Sequence, residues 1–313
     1  MEMQSSEQNN NSNYQKMGDE DSTSWYLLSI ISWILFGISM WVSYCNGIYF
    51  WSSFTSITSL EYYPLEIGDK FPYLYIYLSL LGVIGFITYL IFTTCKKRQD
   101  VYDGMLGNIS KFHFVPLLLI SSLYIVSISS SYISESNTTE NYKSLRTLIS
   151  FDLIFTIIGL ISLIIIYLKT ELNSEWYIVL AIKKGIYSSF IIILLYNFFH
   201  IIVTFKFIND NLDDKEFDSI RKFLKGSGIA FTCLFGIISL AFSFLFKDVM
   251  AGFTTFLTYL GMVITFFTKN EYEREERKEN FNGVTDGVLD IIFMLLSLAL
   301  IAYLVLKCRQ NLF

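Results

Sequence analysis

The chain has 313 residues, of which 53% are apolar, 18% are aromatic and only 16% are charged, and its mean hydropathy is +0.48. Soluble domains carry charge on about a quarter of their residues. Here the apolar residues form long uninterrupted blocks, which excludes a soluble globular enzyme. High apolar content, 17 glycines and 4 cysteines also exclude disordered, collagen-like and disulfide-scaffold classes. A formal net charge of −5 argues against nucleic acid as a partner.

Eight blocks are long enough to cross a bilayer, whose core of about 30 Å needs roughly 20 apolar residues in a helix. They cover residues 25–45, 73–94, 113–134, 147–168, 186–207, 227–246, 249–268 and 286–306. The last two blocks before residue 269 are separated only by Lys247 and Asp248, so we expect a tight helical hairpin that turns at this pair. No block shows the alternation of a barrel strand. The sequence therefore predicts an all-α integral membrane protein, a polytopic bundle of about eight transmembrane helices.

Polar segments flank the predicted transmembrane domain, which covers residues 25–306. Residues 1–24 are rich in Asn, Ser and acidic residues and are predicted to be a disordered tail. The first span lies too far from the start, and is too long, for a cleaved signal peptide. Residues 307–313 form a short C-terminal tail. The Asn-rich tail and the bias toward Ile, Phe, Tyr and Asn suggest a eukaryotic, AT-rich genome.

Small and hydroxyl-bearing residues are concentrated in the 227–246 span. Gly228, Thr232 and Gly236 are spaced by four residues, and Ser239 and Ser243 follow them. In lipid, such residues allow helix backbones to approach closely. We therefore expect close helix contacts here, with a hydrated path lined by hydroxyl groups as the alternative.

The distribution of basic residues does not by itself orient eight spans. With both termini on one side, Lys and Arg divide 11 to 12 between the two sides. The early loops favour cytosolic termini, because those after the second and fourth spans hold seven basic residues and those after the first and third hold three. The loops at 208–226 and 269–285 would then lie outside although they are basic. In a seven-crossing alternative, 186–207 only dips into the bilayer. Both loops then become cytosolic, and 17 of the lysines and arginines lie on the cytosolic side and 6 on the other.

Three residues are candidates for modification under this orientation. Cys95 precedes Lys96, Lys97 and Arg98, and Cys308 lies between Lys307 and Arg309, which are positions typical of palmitoylation on a cytosolic membrane face. Asn137 begins an Asn-Thr-Thr sequon in a loop expected outside and is a candidate for glycosylation. A second sequon at Asn108 would be cytosolic and unused. The protein is expected in the plasma membrane or an endomembrane.

A few polar and ionisable residues interrupt the apolar spans, and they form the candidate intramembrane polar site: Asp152, Asn197, His200, Asp286 and Asp290. With eight spans, all of them lie in the half of the membrane away from the termini. An ionisable residue inside the membrane needs a partner or a function. We therefore predict a site that binds a cation or relays a proton. The alternative is structural, because acids in the first turns of a helix favour its dipole and reach headgroup water.

No motif for catalysis, metal or cofactor binding is found in the sequence. The two histidines, at positions 113 and 200, and the four cysteines have no metal-ligand spacing, and no nucleophile elbow or phosphate loop occurs. We expect a non-enzymatic transporter or channel-like pathway for a small solute, ion or lipid, without a cofactor and with the lipid bilayer as its partner. The alternative is a membrane receptor or membrane-organising scaffold that acts through its charged loops.

Overall fold

The structure is a computed structural model that describes four continuous stretches of the chain and several separate positions before them, all helical except Ile67. The stretches are 139–169, 177–212, 217–268 and 283–310; the further positions are Ile67, Tyr73, Leu74, Ile76, Tyr77, Leu78, Leu80, Leu81 and Ile84. The predictions for the tail at 1–24, the spans at 25–45 and 113–134, Cys95 and Asn137 lie outside the described residues. The span at 73–94 is described only at the positions named.

Five long helices make up the continuous stretches. They are α1 (Thr139–Lys169), α2 (Tyr177–Leu212), α3 (Phe217–Phe246), α4 (Val249–Thr268) and α5 (Gly283–Gln310). Within these stretches all regular structure is helical, with no β-strand.

Each helix contains an apolar run of 20 to 23 residues, long enough to cross a bilayer. The runs are Ile149–Leu168, Lys184–Lys206, Gly226–Phe246, Val249–Thr268 and Gly287–Lys307. They agree with the last five predicted spans to within two residues at each end. The described part of the chain is therefore an all-α bundle of membrane-spanning length, as the composition predicts.

Helix α2 occupies the centre of the bundle. Nearly all of its side chains from Ile186 to Thr204 are buried, and it packs against α1, α3 and α4. Helix α5 packs mainly against α4 and also against α3. The length and burial of α2 count against the alternative in which 186–207 only dips into the bilayer. The outward faces of α3 and α5 leave apolar side chains exposed, such as Leu245 and Leu306, as expected for surfaces that face lipid tails.

The hairpin between α3 and α4 turns at Lys247 and Asp248, as predicted. Lys247 has a positive φ of 52°, and its N–H donates to the Phe244 carbonyl at 3.3 Å. The Asp248 N–H donates to the Ser243 carbonyl at 3.0 Å, which completes a Schellman motif that ends α3. The Asp248 carboxylate then accepts the Ala251 N–H at 3.1 Å and caps α4. A two-residue turn therefore reverses the chain without leaving these helix-end groups unsatisfied.

The turn defines two ends of the bundle, which we name by their connections. The hairpin face is the end with Lys247 and Asp248, where α1, α3 and α5 finish and α2 and α4 start. The loop face is the opposite end, where α1, α3 and α5 start.

The small and hydroxyl residues of α3 are used for close packing. The Ser239 hydroxyl donates to the Phe235 carbonyl of its own helix at 2.6 Å, and the Ser243 hydroxyl donates to the Asp248 carbonyl at 2.7 Å. A methyl group added at Gly252 of α4 would meet the Ser243 hydroxyl oxygen at 2.9 Å. These contacts favour close helix packing in this region, rather than the alternative of a hydrated path lined by hydroxyl groups.

Candidate functional site

Two of the predicted site residues, Asn197 and His200, lie one turn apart on α2, and Asn197 contacts α1. The Asn197 side-chain amide donates to the Thr156 hydroxyl oxygen at 3.2 Å, and both residues are buried. His200 follows Asn197 by one turn and is also buried, with its ring 6.4 Å from that of Tyr196. The Thr204 hydroxyl donates back to the His200 carbonyl at 2.9 Å. The polar stripe predicted on this helix therefore faces the interior of the bundle.

Asp290 lies in a second polar group, formed by α3, α4 and α5. Its side chain has no exposed surface (0%), although it lies inside the apolar span of its helix, one turn from the start of that span. The Tyr259 hydroxyl of α4 donates to the Thr232 carbonyl of α3 at 2.6 Å, and the Asp290 carboxylate lies close enough to act on that hydroxyl electrostatically. The Phe293 ring, one turn after Asp290, stacks on Tyr259 at 5.3 Å. The carboxylate is therefore buried on the α5 face that packs against Tyr259.

Aromatic rings connect the two polar groups in a continuous series of contacts. Tyr196 of α2 contacts Phe235 of α3 at 5.7 Å, and Phe235 contacts Tyr259 of α4 at 5.5 Å. All three residues are fully buried (0%). We call this series, together with the polar groups at its two ends, the central layer. Asn197 and His200 are thus at one end of an aromatic layer and Asp290 is at the other, instead of forming one continuous polar cluster.

Ring contacts between the helices show that the two ends of the central layer lie at a similar depth in the bundle. Phe199, next to His200, stacks on Phe231 of α3 at 5.2 Å, and the neighbouring Thr232 carbonyl is bonded to Tyr259. Because Tyr259 also stacks on Phe293, residues 200 and 290 lie at about the same level along the bundle. That level is on the loop-face side of its middle, since Asp290 is only three residues from the start of the α5 span.

For three predicted residues the structure describes only the backbone. Asp152 is one turn before Thr156 in α1, Asp286 is in the first turn of α5, and Cys308 is near the end of α5. Their side chains lie outside the described residues. Among the side chains that are described in α1–α5, no three His, Cys, Asp or Glu residues converge as metal ligands would.

A polar cluster that sequence analysis did not single out lies at the hairpin face. The Tyr167 hydroxyl of α1 donates to the second Asp248 carboxylate oxygen at 2.9 Å. The Tyr167 ring packs against Phe242 at 5.2 Å, and the Lys184 ammonium of α2 is 4.7 Å from its centroid. One aspartate therefore caps α4 and fixes α1 to the hairpin, and a cation from α2 lies above the tyrosine ring.

Tyr77 joins the bundle near the same face. Its hydroxyl is 3.1 Å from the Ser189 hydroxyl of α2 and 3.0 Å from the Thr254 hydroxyl of α4. Its ring contacts Phe253 edge-on at 5.4 Å, and Asp248 is within electrostatic range of its hydroxyl. These contacts fix a residue from early in the chain between α2 and α4.

Tyr77, Tyr167 and Thr254 gave little signal in the sequence. Each is a residue inside an apolar block, and its partner is distant along the chain, 177 residues away for the contact between Tyr77 and Thr254. Only Asp248 could have been identified, because an aspartate after a helix end and before a new apolar run is a recognisable cap. Comparison with known proteins adds no further assignment: no family model, curated protein or solved structure matches the chain.

Proposed function

We propose that this protein is a non-enzymatic membrane transport protein, and that Asp290 is the group on which its pathway depends. The pathway carries a small solute or ion, and the ion that the chemistry favours is the proton, since carboxylic acids bind and release protons reversibly. The observation that carries the proposal is the complete burial of the Asp290 carboxyl group inside a helix of membrane-spanning length.

The cost of placing an aspartate there supports a functional role. A charged aspartate at the centre of a transmembrane helix costs about 2.5–3.5 kcal/mol on insertion scales, and Asp290, one turn inside its span, carries part of that cost. Structural aspartates can avoid that cost at a helix N-terminus, where the dipole favours them within the first turn. Asp286 meets that condition, but Asp290 is the eighth residue of α5, which begins at Gly283. The helix dipole therefore does not account for Asp290.

The neighbours of Asp290 provide oxygen atoms suited to a proton or a small cation. The Tyr259 hydroxyl is within electrostatic range of the carboxylate. The Thr232 hydroxyl oxygen is buried and has no hydrogen-bond partner among the described residues. Buried hydroxyl groups are usually hydrogen-bonded, so an unsatisfied one on the residue whose carbonyl binds Tyr259 is consistent with a place for a transient ligand.

Proton flux through proteoliposomes tests the proposal. The full chain is reconstituted with a pH-sensitive dye inside the vesicles, and a potassium diffusion potential drives protons inward. We expect Asp290→Asn, which keeps the side-chain shape, to lower the initial rate at least about tenfold, because the amide cannot take up a proton.

Ser297→Ala is the matched control for the flux measurement. Ser297 is also buried in α5, but its hydroxyl donates only to the Met294 carbonyl of the same helix at 2.7 Å. This variant should retain flux close to that of the unmodified protein. Equal flux in Asp290→Asn and the unmodified protein would contradict the proposal and would favour the receptor or scaffold alternative.

A further inference from the structure

The contacts of Tyr77 fix the end of the bundle at which the 73–94 segment starts. Ser189 and Thr254, which the Tyr77 hydroxyl contacts at 3.1 and 3.0 Å, are each five residues after the start of their spans, Lys184–Lys206 and Val249–Thr268. Both spans start at the hairpin face. At 1.5 Å per residue, Ser189 and Thr254 lie about 8 Å from that face. Tyr77 therefore belongs to the hairpin-face half of the membrane.

Eight consecutive crossings would place Tyr77 at the other end. In that arrangement the 73–94 segment starts at the loop face, so Tyr77 would lie about 6 Å from that face. In a core of about 30 Å, its height would differ from that of Ser189 and Thr254 by about 16 Å. That difference exceeds the length of a tyrosine side chain plus one hydrogen bond. The observed contacts and eight crossings are incompatible.

Sequence around Tyr77 shows the direction of the helix that contains it. A helix that reached the hairpin face just after Tyr77 would have to span the membrane with the residues before it. Those residues include Glu61, Glu66, Asp69 and Lys70, which are too polar for the bilayer core. The apolar residues instead follow Tyr77, up to position 94. The helix therefore starts at the hairpin face and runs toward the loop face.

We propose that the 73–94 segment starts at the hairpin face, that the chain crosses once between residue 73 and α1, and that the loop face is in the cytosol. Helix α1 starts at the loop face, so the chain makes one net crossing between residues 73 and 139. Eight spans would require two, in 73–94 and 113–134. The 113–134 segment is then the one that does not cross, and 25–45 with 73–94 and the five helices gives seven crossings.

Charge distribution supports this arrangement independently of Tyr77. With these seven crossings, 16 of the 23 lysines and arginines lie on the loop-face side and 7 on the hairpin-face side. Eight crossings divide them 11 to 12. If 73–94 were the segment that did not cross, the four basic residues at 96–98 and 111 would change sides and the lysines and arginines would divide 12 to 11. The excess of basic residues marks the loop face as cytosolic.

The arrangement changes the expectations for the tails and the modification sites. The N-terminal tail and the loops at 208–226 and 269–285 become cytosolic, and the C-terminal tail lies on the opposite side. Asn137 becomes cytosolic and is not glycosylated. Cys95 stays at the cytosolic face, whereas Cys308 moves to the other face. The half of the bundle that holds Asp290 is the cytosolic half.

Cysteine accessibility tests the proposal. In the full chain with its four native cysteines replaced, single cysteines are introduced as Lys70→Cys, Asn173→Cys and Lys215→Cys. Sealed vesicles with the cytosolic side outward are treated with a membrane-impermeant maleimide before and after detergent. We expect Lys215→Cys to react in sealed vesicles, and Lys70→Cys and Asn173→Cys to react only after detergent.

Each other pattern overturns a stated part of the proposal. If Lys70→Cys reacts together with Lys215→Cys and not with Asn173→Cys, the chain does not enter at the hairpin face. If Lys70→Cys and Asn173→Cys react in sealed vesicles and Lys215→Cys does not, the crossings stand and the cytosolic assignment of the loop face is wrong. Glycosylation sequons inserted at the same three positions report the sides in protein whose cysteines are intact.

Discussion

Replacing Gly236 with Ala should destabilise the protein by about 2–4 kcal/mol, which combines overpacking of a core with the loss of one buried hydrogen bond. A methyl group at this position would lie 2.4 Å from a ring carbon of Phe293 and 2.6 Å from the Tyr259 hydroxyl oxygen. Neither ring can move freely, because the two stack on each other at 5.3 Å and Tyr259 is bonded to the Thr232 carbonyl. Thermal unfolding of the purified protein in detergent measures the effect.

Gly226→Ala is the control for Gly236→Ala in the same helix. A methyl group at Gly226 would meet nothing within 4 Å. Alanine also favours a helix over glycine by up to about 1 kcal/mol. We therefore expect the midpoint of unfolding to be unchanged or slightly raised. Equal midpoints for the two variants would show that the contact between α3, α4 and α5 is looser than the structure has it.

Asp248→Ala should lower the free energy of unfolding by about 2–4 kcal/mol, because it removes a helix cap and the charged acceptor of a tyrosine hydroxyl together. Both carboxylate oxygens are used, one by the Ala251 N–H at 3.1 Å and the other by the Tyr167 hydroxyl at 2.9 Å. Asp248→Asn retains an oxygen for the cap and should cost less. Denaturant titration in mixed micelles provides the measurement.

A double-mutant cycle separates the two functions of Asp248. Tyr167→Phe should cost about 1–2 kcal/mol, and in the Asp248→Ala background it should cost much less, since the acceptor is already absent. The expected coupling is about 1 kcal/mol or more. Strictly additive losses would mean that the Tyr167 hydroxyl contributes nothing through Asp248, and that the hairpin is held to α1 only by ring packing.

The helices could be predicted from sequence because their signal is local. The length of an apolar block identifies each span, and a block of about 42 residues required a turn at Lys247 and Asp248, which the structure confirms. The inward position of the central layer was only partly predictable. Asp290 and His200 are conspicuous among apolar residues, but Tyr196, Phe235 and Tyr259, which lie between them, are chemically ordinary in such a span.

The direction in which the chain enters the bundle could not be predicted from the apolar blocks. Length and hydropathy identify a span but do not show at which face it starts. The basic residues divide almost equally between the two sides of eight spans, so the faces depended on counting consecutive blocks. That count fails if one block does not cross, because a single such block reverses the predicted direction across the membrane of every segment before it. The contact of Tyr77 with Ser189 and Thr254 supplies the missing tertiary information.

The proposed function and the proposed arrangement concern the same end of the bundle. The central layer lies toward the loop face, and the basic loops at 208–226 and 269–285 belong to that face. If the loop face is cytosolic, protons reach Asp290 from the cytosol first. The function does not depend on this assignment, since Asp290 is buried at the same depth in either orientation.

Infrared spectroscopy of the full chain in lipid bilayers tests most directly whether the Asp290 carboxyl group exchanges protons with water. Spectra are recorded as the external pH is varied, for the unmodified protein and for Asp290→Asn. We predict a protonated-carboxyl band that changes reversibly with pH and is missing from Asp290→Asn. A carboxyl spectrum that is the same in both proteins, or an Asp290 band that does not respond to pH, would contradict it.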